Sequence, residues 1–486
     1  MNMLMLPVFQ TPREVAGSIR QVIELPNMRE KLQNWRASQR YREVLAVCLP
    51  LVMGMSAVTV MEFTDRVFLS NYSLEAISAA SPASGAAFVF LVVFGGVGSY
   101  CGVFIAQYVG AGRNNRVGTM LWQGIYFTLF SGLILLLIAI FLSGPIFTLA
   151  GHGAKIQRLE TLYFRILCSG GIFYVAAQTL SAFFSGRGLT RPVMIVNIIG
   201  MLINIPLDYC LIFGWSFFPE LGIAGAGVAT ILSSASITLI LALLIFRPTH
   251  EDRFKILSNR GFEPDLLTRL LRFGVPGSMQ LGIDISAFVI FIMLVGRLGM
   301  EELAATTIAL SISAIAFMPS YGASQGVAVL VGQSLGRKRP DQGRNATISA
   351  IHLLLCYILL VDLLFIFSPQ AVVAIFIPDT AAGAEYAPVM EKAVTILRIM
   401  ACYLFLDALY MVFAGVLRGA GDTRYLMGAI LAASIFSFLA PLYIGIELFD
   451  QGVYFAWGCV LSFILTLFLL TWLRYRRGRW QGMSVI

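Results

Sequence analysis

This chain is built from apolar runs, each long enough to cross a bilayer as a helix, and so many of them leave no place for a soluble core. A helix rises about 1.5 Å per residue, so about 20 mainly apolar residues span the hydrocarbon. On that criterion twelve spans are predicted: 44–70, 83–109, 118–143, 160–184, 190–213, 222–246, 267–297, 303–334, 346–368, 390–416, 424–446 and 452–474. The expected fold class is all-α integral membrane, with the twelve helices in two six-helix pseudosymmetric bundles around a central cleft. Only 12% of residues are charged and the mean hydropathy is +0.82, where a soluble domain carries about 25% charge.

Charge sets the expected orientation. Of the 34 Lys and Arg, 27 fall on one side of the predicted spans and four on the other. The rich side takes the loops with Arg113, Arg187, Arg253, Lys338 and Arg424, and both chain ends. Positive loops stay in the cytoplasm, so both termini are expected there, in a multi-pass protein of the cytoplasmic (inner) membrane. The net charge of +8 follows this topology and needs no nucleic-acid partner. Residues 1–42 lack an apolar run followed by a small-residue cleavage site and read as a cytoplasmic extension, not a cleaved signal peptide. The seven cysteines lack C-x-x-C spacing and the three histidines are scattered, which speaks against a disulfide framework or a zinc cluster.

The sequence repeats itself. Leu49-Pro50-Leu51 corresponds to Val275-Pro276-Gly277, and Gln107 with Gly110 corresponds to Gln333 with Gly336, at one and the same offset. Gly186 to Arg191 corresponds to Gly419 to Arg424, and Gly222 to Gly452, at offsets only slightly larger. Six spans per half give the copies the same direction, so the halves are expected to be parallel repeats related by an axis along the membrane normal, a pseudosymmetry that suits two bundles rocking about a central site. The predicted division is an N-lobe at 43–246, a linker at 247–266, a C-lobe at 267–474 and a basic tail at 475–486.

Six carboxylates stand inside or at the edge of these runs: Glu62, Asp65, Asp208, Asp284, Asp362 and Asp407. A charge at the bilayer centre costs about 2.5–3.5 kcal/mol even on insertion scales. Retaining several implies a use, such as holding a proton or a cation. Asn204 and Asp208 are four apart and share a helix face. Pro206 between them has no amide hydrogen and frees a carbonyl one turn back, near Leu202. Glu62 and Asp65 also share a face, with Arg66 beside them as a candidate modulator or ion-pair partner. Asp284 and Asp407 are candidate coupling groups of the second half; Asp362 has no recognisable partner. Pro50, Pro206 and Pro276 are candidate bends. No HExxH zinc helix, GxSxG elbow or Walker loop is present: the GxSxG letters at Gly322 to Gly326 fall inside an apolar span and not on a strand-to-helix turn, so nothing points to an integral-membrane enzyme.

From about Tyr41 to Arg474 the chain resembles the multidrug and toxic compound extrusion (MATE) transporters. The likeness rests on Pro50, Asp65, Ala106-Gln107-Tyr108-Val109-Gly110, Gly186 to Pro192, Asn204 with Asp208, and Gly222 to Gly227. In the second half it rests on Gly274-Val275-Pro276, Asp284, Asp407 and Leu417 to Thr423. The resemblance implies a two-lobe V-shaped antiporter, working without a cofactor and as a monomer, that exports organic cations and drugs against inward H⁺ or Na⁺. It implies a coupling site at Asp65, Asn204 and Asp208, which would be the metal ligands if the ion is Na⁺, and acidic C-lobe residues at Asp284 and Asp407. Arg66 departs from the small polar residue common at its position, and Leu189 from the acid of the matching loop. A flippase for a lipid-linked precursor or polysaccharide is the alternative, though such proteins often have more spans and a cationic cavity.

Overall fold

The computed structural model describes residues 40–150, 152–215, 218–375 and 387–486; nearly all of the N-terminal extension lies outside them. The first half runs α1 (Tyr41–Tyr72), α2 (Leu74–Gly110), α3 (Asn115–Phe141), short α4 (Ser143–Ala150), α5 (Ala154–Ser169) and α6 (Gly171–Gly186), the last two together making one span, then α7 (Arg191–Phe213) and α8 (Ile223–Ile245). After short α9 (Pro248–Phe254), the second half runs α10 (Pro264–Gly296), α11 (Met300–Gly336), α12 (Pro340–Phe367), short α13 (Pro369–Ala374) and α14 (Ala387–Ala420). Its last two spans are α15 (Thr423–Ala433), joined through a π-helical turn at Ser434–Leu439 to α16 (Ala440–Phe449), and α17 (Val453–Arg476). Among the described residues, twelve spans are long and apolar enough to cross a membrane. Pro50, Pro206 and Pro276 each lie inside a helix that continues through them.

Local chemistry sets the helix ends. Pro192 and Pro264 stand in the first turns of α7 and α10, where a missing amide hydrogen costs nothing. Gly214 ends α7 with φ of 69°, a left-handed cap that residues with a Cβ resist. Ser73 caps α2 by accepting the Ala76 amide hydrogen at 3.0 Å.

The apolar cores do not follow the lobe boundary. Val44, Val47 and Cys48 of α1 pack in the core of the second half. Leu266 and Leu270 of α10 pack in the core of the first half. Val44 and Leu270 are related by the same offset as Pro50 and Pro276, so the lobes exchange the first turns of their first helices. The linker is docked, not free. Arg116 of α3 holds Glu263 through two bonds of 2.9 and 2.7 Å, Gln123 donates to the Gly261 carbonyl at 2.9 Å, and Trp122 to the Ile256 carbonyl at 2.7 Å.

Both exchanges lie at the end of the bundle that carries the basic loops, and so does the closest approach of the lobes. There α2 and α11 cross backbone against backbone. A Cβ on Gly110 would collide with the Gln333 carbonyl, and one on Gly336 with the Gln107 carbonyl. Small residues at such crossings let helices pack closely in a membrane. The flanking amides reach across: Gln107 donates from Nε2 to the Gly419 carbonyl and Gln333 from Nε2 to the Gly186 carbonyl, each at 3.0 Å. Tyr100 adds a bond to the Arg418 carbonyl at 3.0 Å.

The segment expected to be a basic tail is folded over this crossing. Trp480 is 1% exposed and its ring stacks on Tyr475 at 5.5 Å, anchoring the segment to the C-lobe. Ser484 and the Val485 amide then donate to Gln107 Oε1 at 3.1 and 2.9 Å. Val485 is buried in the N-lobe core.

Gly336→Val should wedge the lobes apart at this end. Overpacking of about 1–3 kcal/mol shifts a two-state equilibrium roughly 5- to 150-fold. Cys48, held between Gly326 and the Ala323 carbonyl of α11, reports the opening. Its alkylation rate in purified protein, located by peptide mass spectrometry, should rise by a factor in that range. An unchanged rate would show that the Gly110–Gly336 crossing does not hold the end closed.

Candidate functional site

Inside the N-lobe, α1, α7 and α8 meet around two acids. Asp208 and Asn204 are both 0% exposed, and Asp65 is 7% exposed. The Asp65 and Asp208 carboxyls come within hydrogen-bonding reach of each other. Two ionised carboxylates are both acceptors, so no bond joins them unless a proton or a cation sits between. The surroundings supply few donors. Thr230 of α8 offers its hydroxyl to Asp65 Oδ2 at a long 3.4 Å and also bonds the Ala226 carbonyl at 3.0 Å. Asp65 Oδ1, both Asp208 oxygens and the Asn204 side-chain oxygen are buried without a hydrogen-bond partner. Native structures seldom leave buried polar atoms unpaired, and here five stand on three residues, the Asn204 amide nitrogen being the fifth; the four oxygens are the atoms that could ligate a small cation. Tyr163 of α5, also buried, lies within electrostatic range of both acids. The described residues bring no third His, Cys, Asp or Glu to form a metal cluster.

The C-lobe holds a second, different set. Asp284 of α10 and Asp407 of α14 lie within electrostatic range of each other and of Tyr403 and Tyr410. Asp407 is 1% exposed and its Oδ2 has no partner. Gln280 donates to the Tyr410 hydroxyl at 2.8 Å and accepts from Arg418 at 3.4 Å. This network ends at the lobe interface, because the Arg418 carbonyl is the one that Tyr100 bonds.

The repeat does not carry the acids from one half to the other. Phe291 is the counterpart of Asp65 at the offset of the Pro50–Pro276 pair, and Phe438 is the counterpart of Asp208 at the offset of the Gly222–Gly452 pair. Those two rings pack together with centroids 5.6 Å apart. An apolar contact thus fills, in the C-lobe, the position of the acid pair.

Three of the predicted residues, Asp65, Asn204 and Asp208, come together; Asp284 and Asp407 form a separate group. Asp362 is buried on α12 with Oδ1 unpartnered, and among the described residues it interacts with neither set. Glu62 and Arg66 are exposed on α1, and among the described residues Arg66 forms no salt bridge with Glu62 or Asp65. Thr230, Tyr163, Tyr403 and Gln280 were not anticipated. Polar residues of these types are common in helices, and only the packing of distant helices sets these four apart.

A family model described as MatE matches residues 50–210 and 279–442. Two relatives are each named "Probable multidrug resistance protein NorM". That of Thermotoga maritima is 26% identical over 450 residues, covering 92% of this chain and 94% of its own. That of Mannheimia succiniciproducens is 25% identical over 413 residues, covering 84% and 86%. Among solved structures, a MOP superfamily transporter from Pyrococcus furiosus superposes with a TM-score of 0.82 at 19% identity, covering 91% of this chain and 97% of that one. A multidrug resistance MATE family transporter in an outward-facing conformation gives 0.81 at 19% identity, covering 90% and 96%.

Asp208→Asn places an amide donor beside Asp65 where two acceptors now face each other. A bond to a charged group contributes about 1.5–3 kcal/mol. At alkaline pH, where the parent pair has lost its proton, the variant should melt at a higher temperature than the parent. The gap should close as pH falls and a shared proton makes the same bond in the parent. A difference in melting temperature that does not change with pH would show that the two carboxyls do not share a proton.

Proposed function

Because this chain belongs to the MatE family, we propose that it exports organic cations from the cytoplasm in exchange for protons bound at Asp65 and Asp208. The protein is a secondary active antiporter, not an enzyme. It couples movement of an ion to movement of small organic compounds by alternating access of its two lobes. The basic end, closed by the Gln107 and Gln333 bonds, is taken as the cytoplasmic side on the positive-inside rule. On that reading both ends of the chain are cytoplasmic and the structure is open to the outside. The division into lobes at 43–246 and 267–474 is kept as a description of the moving bodies, with their first helical turns exchanged. Each chain contains both lobes and both acid sets, so the working unit is proposed to be one chain.

The observation that carries the proposal is the buried pair Asp65–Asp208, three of whose four oxygens have no donor. A proton satisfies such a pair with the fewest additional ligands. Sodium would need Asn204 and Thr230 oxygens as well, and these are the residues that would hold it. Protons enter from the outside and neutralise the pair. Loss of its charge lets α1, α7 and α8 repack and weakens the hold on cargo. After the lobes rock, the basic end opens, the protons leave inward and cytoplasmic cargo enters. Each elementary charge moved inward supplies about 2.3 kcal/mol per 100 mV. Asp284 and Asp407 are proposed as a second group that exchanges protons or contacts cargo from the C-lobe. The buried charges that supply ligands are acidic, which suits cationic cargo better than the phosphates of a lipid-linked precursor.

The test is efflux of a cationic dye from proteoliposomes with proton and sodium gradients imposed separately. A proton gradient should drive efflux, a sodium gradient alone should not, and Asp208→Asn should reduce the rate at least tenfold. Efflux driven by sodium alone would replace the proton with sodium. Unimpaired efflux by the Asp208→Asn, Asp407→Asn double variant would remove the acids from the mechanism.

A further inference from the structure

Helix α1 presents three faces, and their registers can be followed along its length. One turns into the N-lobe: a Cβ on Gly54 would press on Met194 and Asn197 of α7, Met61 touches Ser233 of α8 at 3.9 Å, and Asp65 meets Thr230. A second, through Leu49, Met53, Val60, Phe63 and Val67, is exposed and apolar and faces lipid. The third turns to the C-lobe. Cys48 abuts Gly326, Val52 abuts Gly322, and the Thr59 hydroxyl meets Met318 of α11 at 3.9 Å.

Carried on at helical spacing, the third face next presents Glu62 and then Arg66. Both are exposed. On α11 the same antiparallel register passes from Met318 to Ile315 and Ser311, also exposed. The lobes therefore part just beyond Thr59–Met318, and Glu62 is the first side chain on the N-lobe wall of the gap. The opposing stretch of α11 carries no charge. Among the described residues Glu62 makes no hydrogen bond or salt bridge. Arg66, four residues on, acts on it only through space.

Aromatic rings stand nearby. Glu62 and Tyr321 of α11 both lie within electrostatic range of the Tyr174 hydroxyl of α6. Tyr174 leans on Gly95, whose neighbour Gly96 presses on Ser278 of the C-lobe, so this ring is at the junction of the lobes. Tyr321 stacks with Phe317 at 5.9 Å. Aromatic faces attract cations, most strongly where water is partly excluded.

We propose that Glu62 is the counter-charge for the transported cation, in a subsite between the lobes walled by Tyr174 and Tyr321, and that Arg66 shields it until cargo arrives. The chemical class it selects is a lipophilic, aromatic, monovalent organic cation. This rests on the reading of the chain as a cation exporter and adds a site distinct from the coupling acids. Glu62 lies one turn from Asp65 and only about 60° from it around the helix, so cargo and coupling ion bind on adjoining flanks of one helix, within electrostatic range of each other. Arg66 then competes with cargo for the same carboxylate.

The competition makes the assignment testable with ethidium as the probe, by fluorescence titration of purified protein and by efflux from proteoliposomes. Glu62→Gln should weaken ethidium binding at least tenfold, and Glu62→Asp by less. Arg66→Gln should tighten binding several-fold, and the double variant should bind like Glu62→Gln. All four are exposed substitutions, and melting curves within a few degrees of the parent confirm that they fold. Unchanged binding by Glu62→Gln overturns the subsite, as does equal weakening by Glu62→Gln and Arg66→Gln, which would mark a structural ion pair. A parent protein that neither binds nor exports ethidium, tetraphenylphosphonium or another cation overturns the exporter reading, and this subsite with it.

Discussion

Two glycines, Gly110 and Gly336, allow α2 and α11 to touch backbone to backbone, and the rest of the arrangement follows from that contact. Without side chains at the crossing, each neighbouring glutamine reaches the last carbonyls of a helix in the other lobe. Such carbonyls have no partner within their own helix. Gln107 serves the end of α14 at Gly419, and Gln333 serves the end of α6 at Gly186. Each lobe thus satisfies polar groups that the other leaves open. Water at the membrane surface can replace those bonds when the lobes separate, so the closure is firm without being permanent. Away from that closed end Glu62, Arg66, Ser311 and Ile315 are exposed on α1 and α11.

Much of this was legible in the sequence because it depends on local or periodic signals. The spans follow from apolar length alone. The repeat follows from motifs that recur in order at nearly one offset, and the acids stand out because a charge in lipid is costly. What was not legible depends on long-range packing. Nothing local marks Thr230 as the donor to Asp65, because the two are joined only when α1 and α8 meet. The exchange of Val44 and Leu270 between lobes is invisible in hydropathy, which reports that a residue is buried and not against which partner. The segment after α17 read as a basic tail because arginines dominate its start, yet Trp480 and Val485 carry it back into the core. The π turn at Ser434–Leu439 has no composition that separates it from an ordinary helix.

The halves share their mechanics but not their chemistry. The glutamine bonds, the crossing glycines and the exchanged first turns recur in both. The acid pair does not: Phe291 and Phe438 pack together where Asp65 and Asp208 would recur. The reverse substitution occurs in α6 and α14, where Tyr174 and Asp407 are counterparts at the offset that relates Gly186 to Gly419. One position holds an aromatic wall in the N-lobe and a buried acid in the C-lobe.

That division has a mechanical consequence. If both lobes bound the ion at equivalent positions, neutralising the sites would change both bundles alike and leave their relative preference for one tilt or the other weakly affected. A single pair between α1, α7 and α8 acts on one bundle only. It also acts through α1, the helix whose first turns lie in the other lobe's core and whose C-lobe face carries Glu62. Repacking around Asp65 must therefore move a rod that is fixed at its basic end in the C-lobe and lines the cleft further along. A ligand shifts an equilibrium only by its differential affinity for the two states, and on the proposed assignments α1 is the element through which an ion at Asp65 and Asp208 and a cargo at Glu62 would each acquire one.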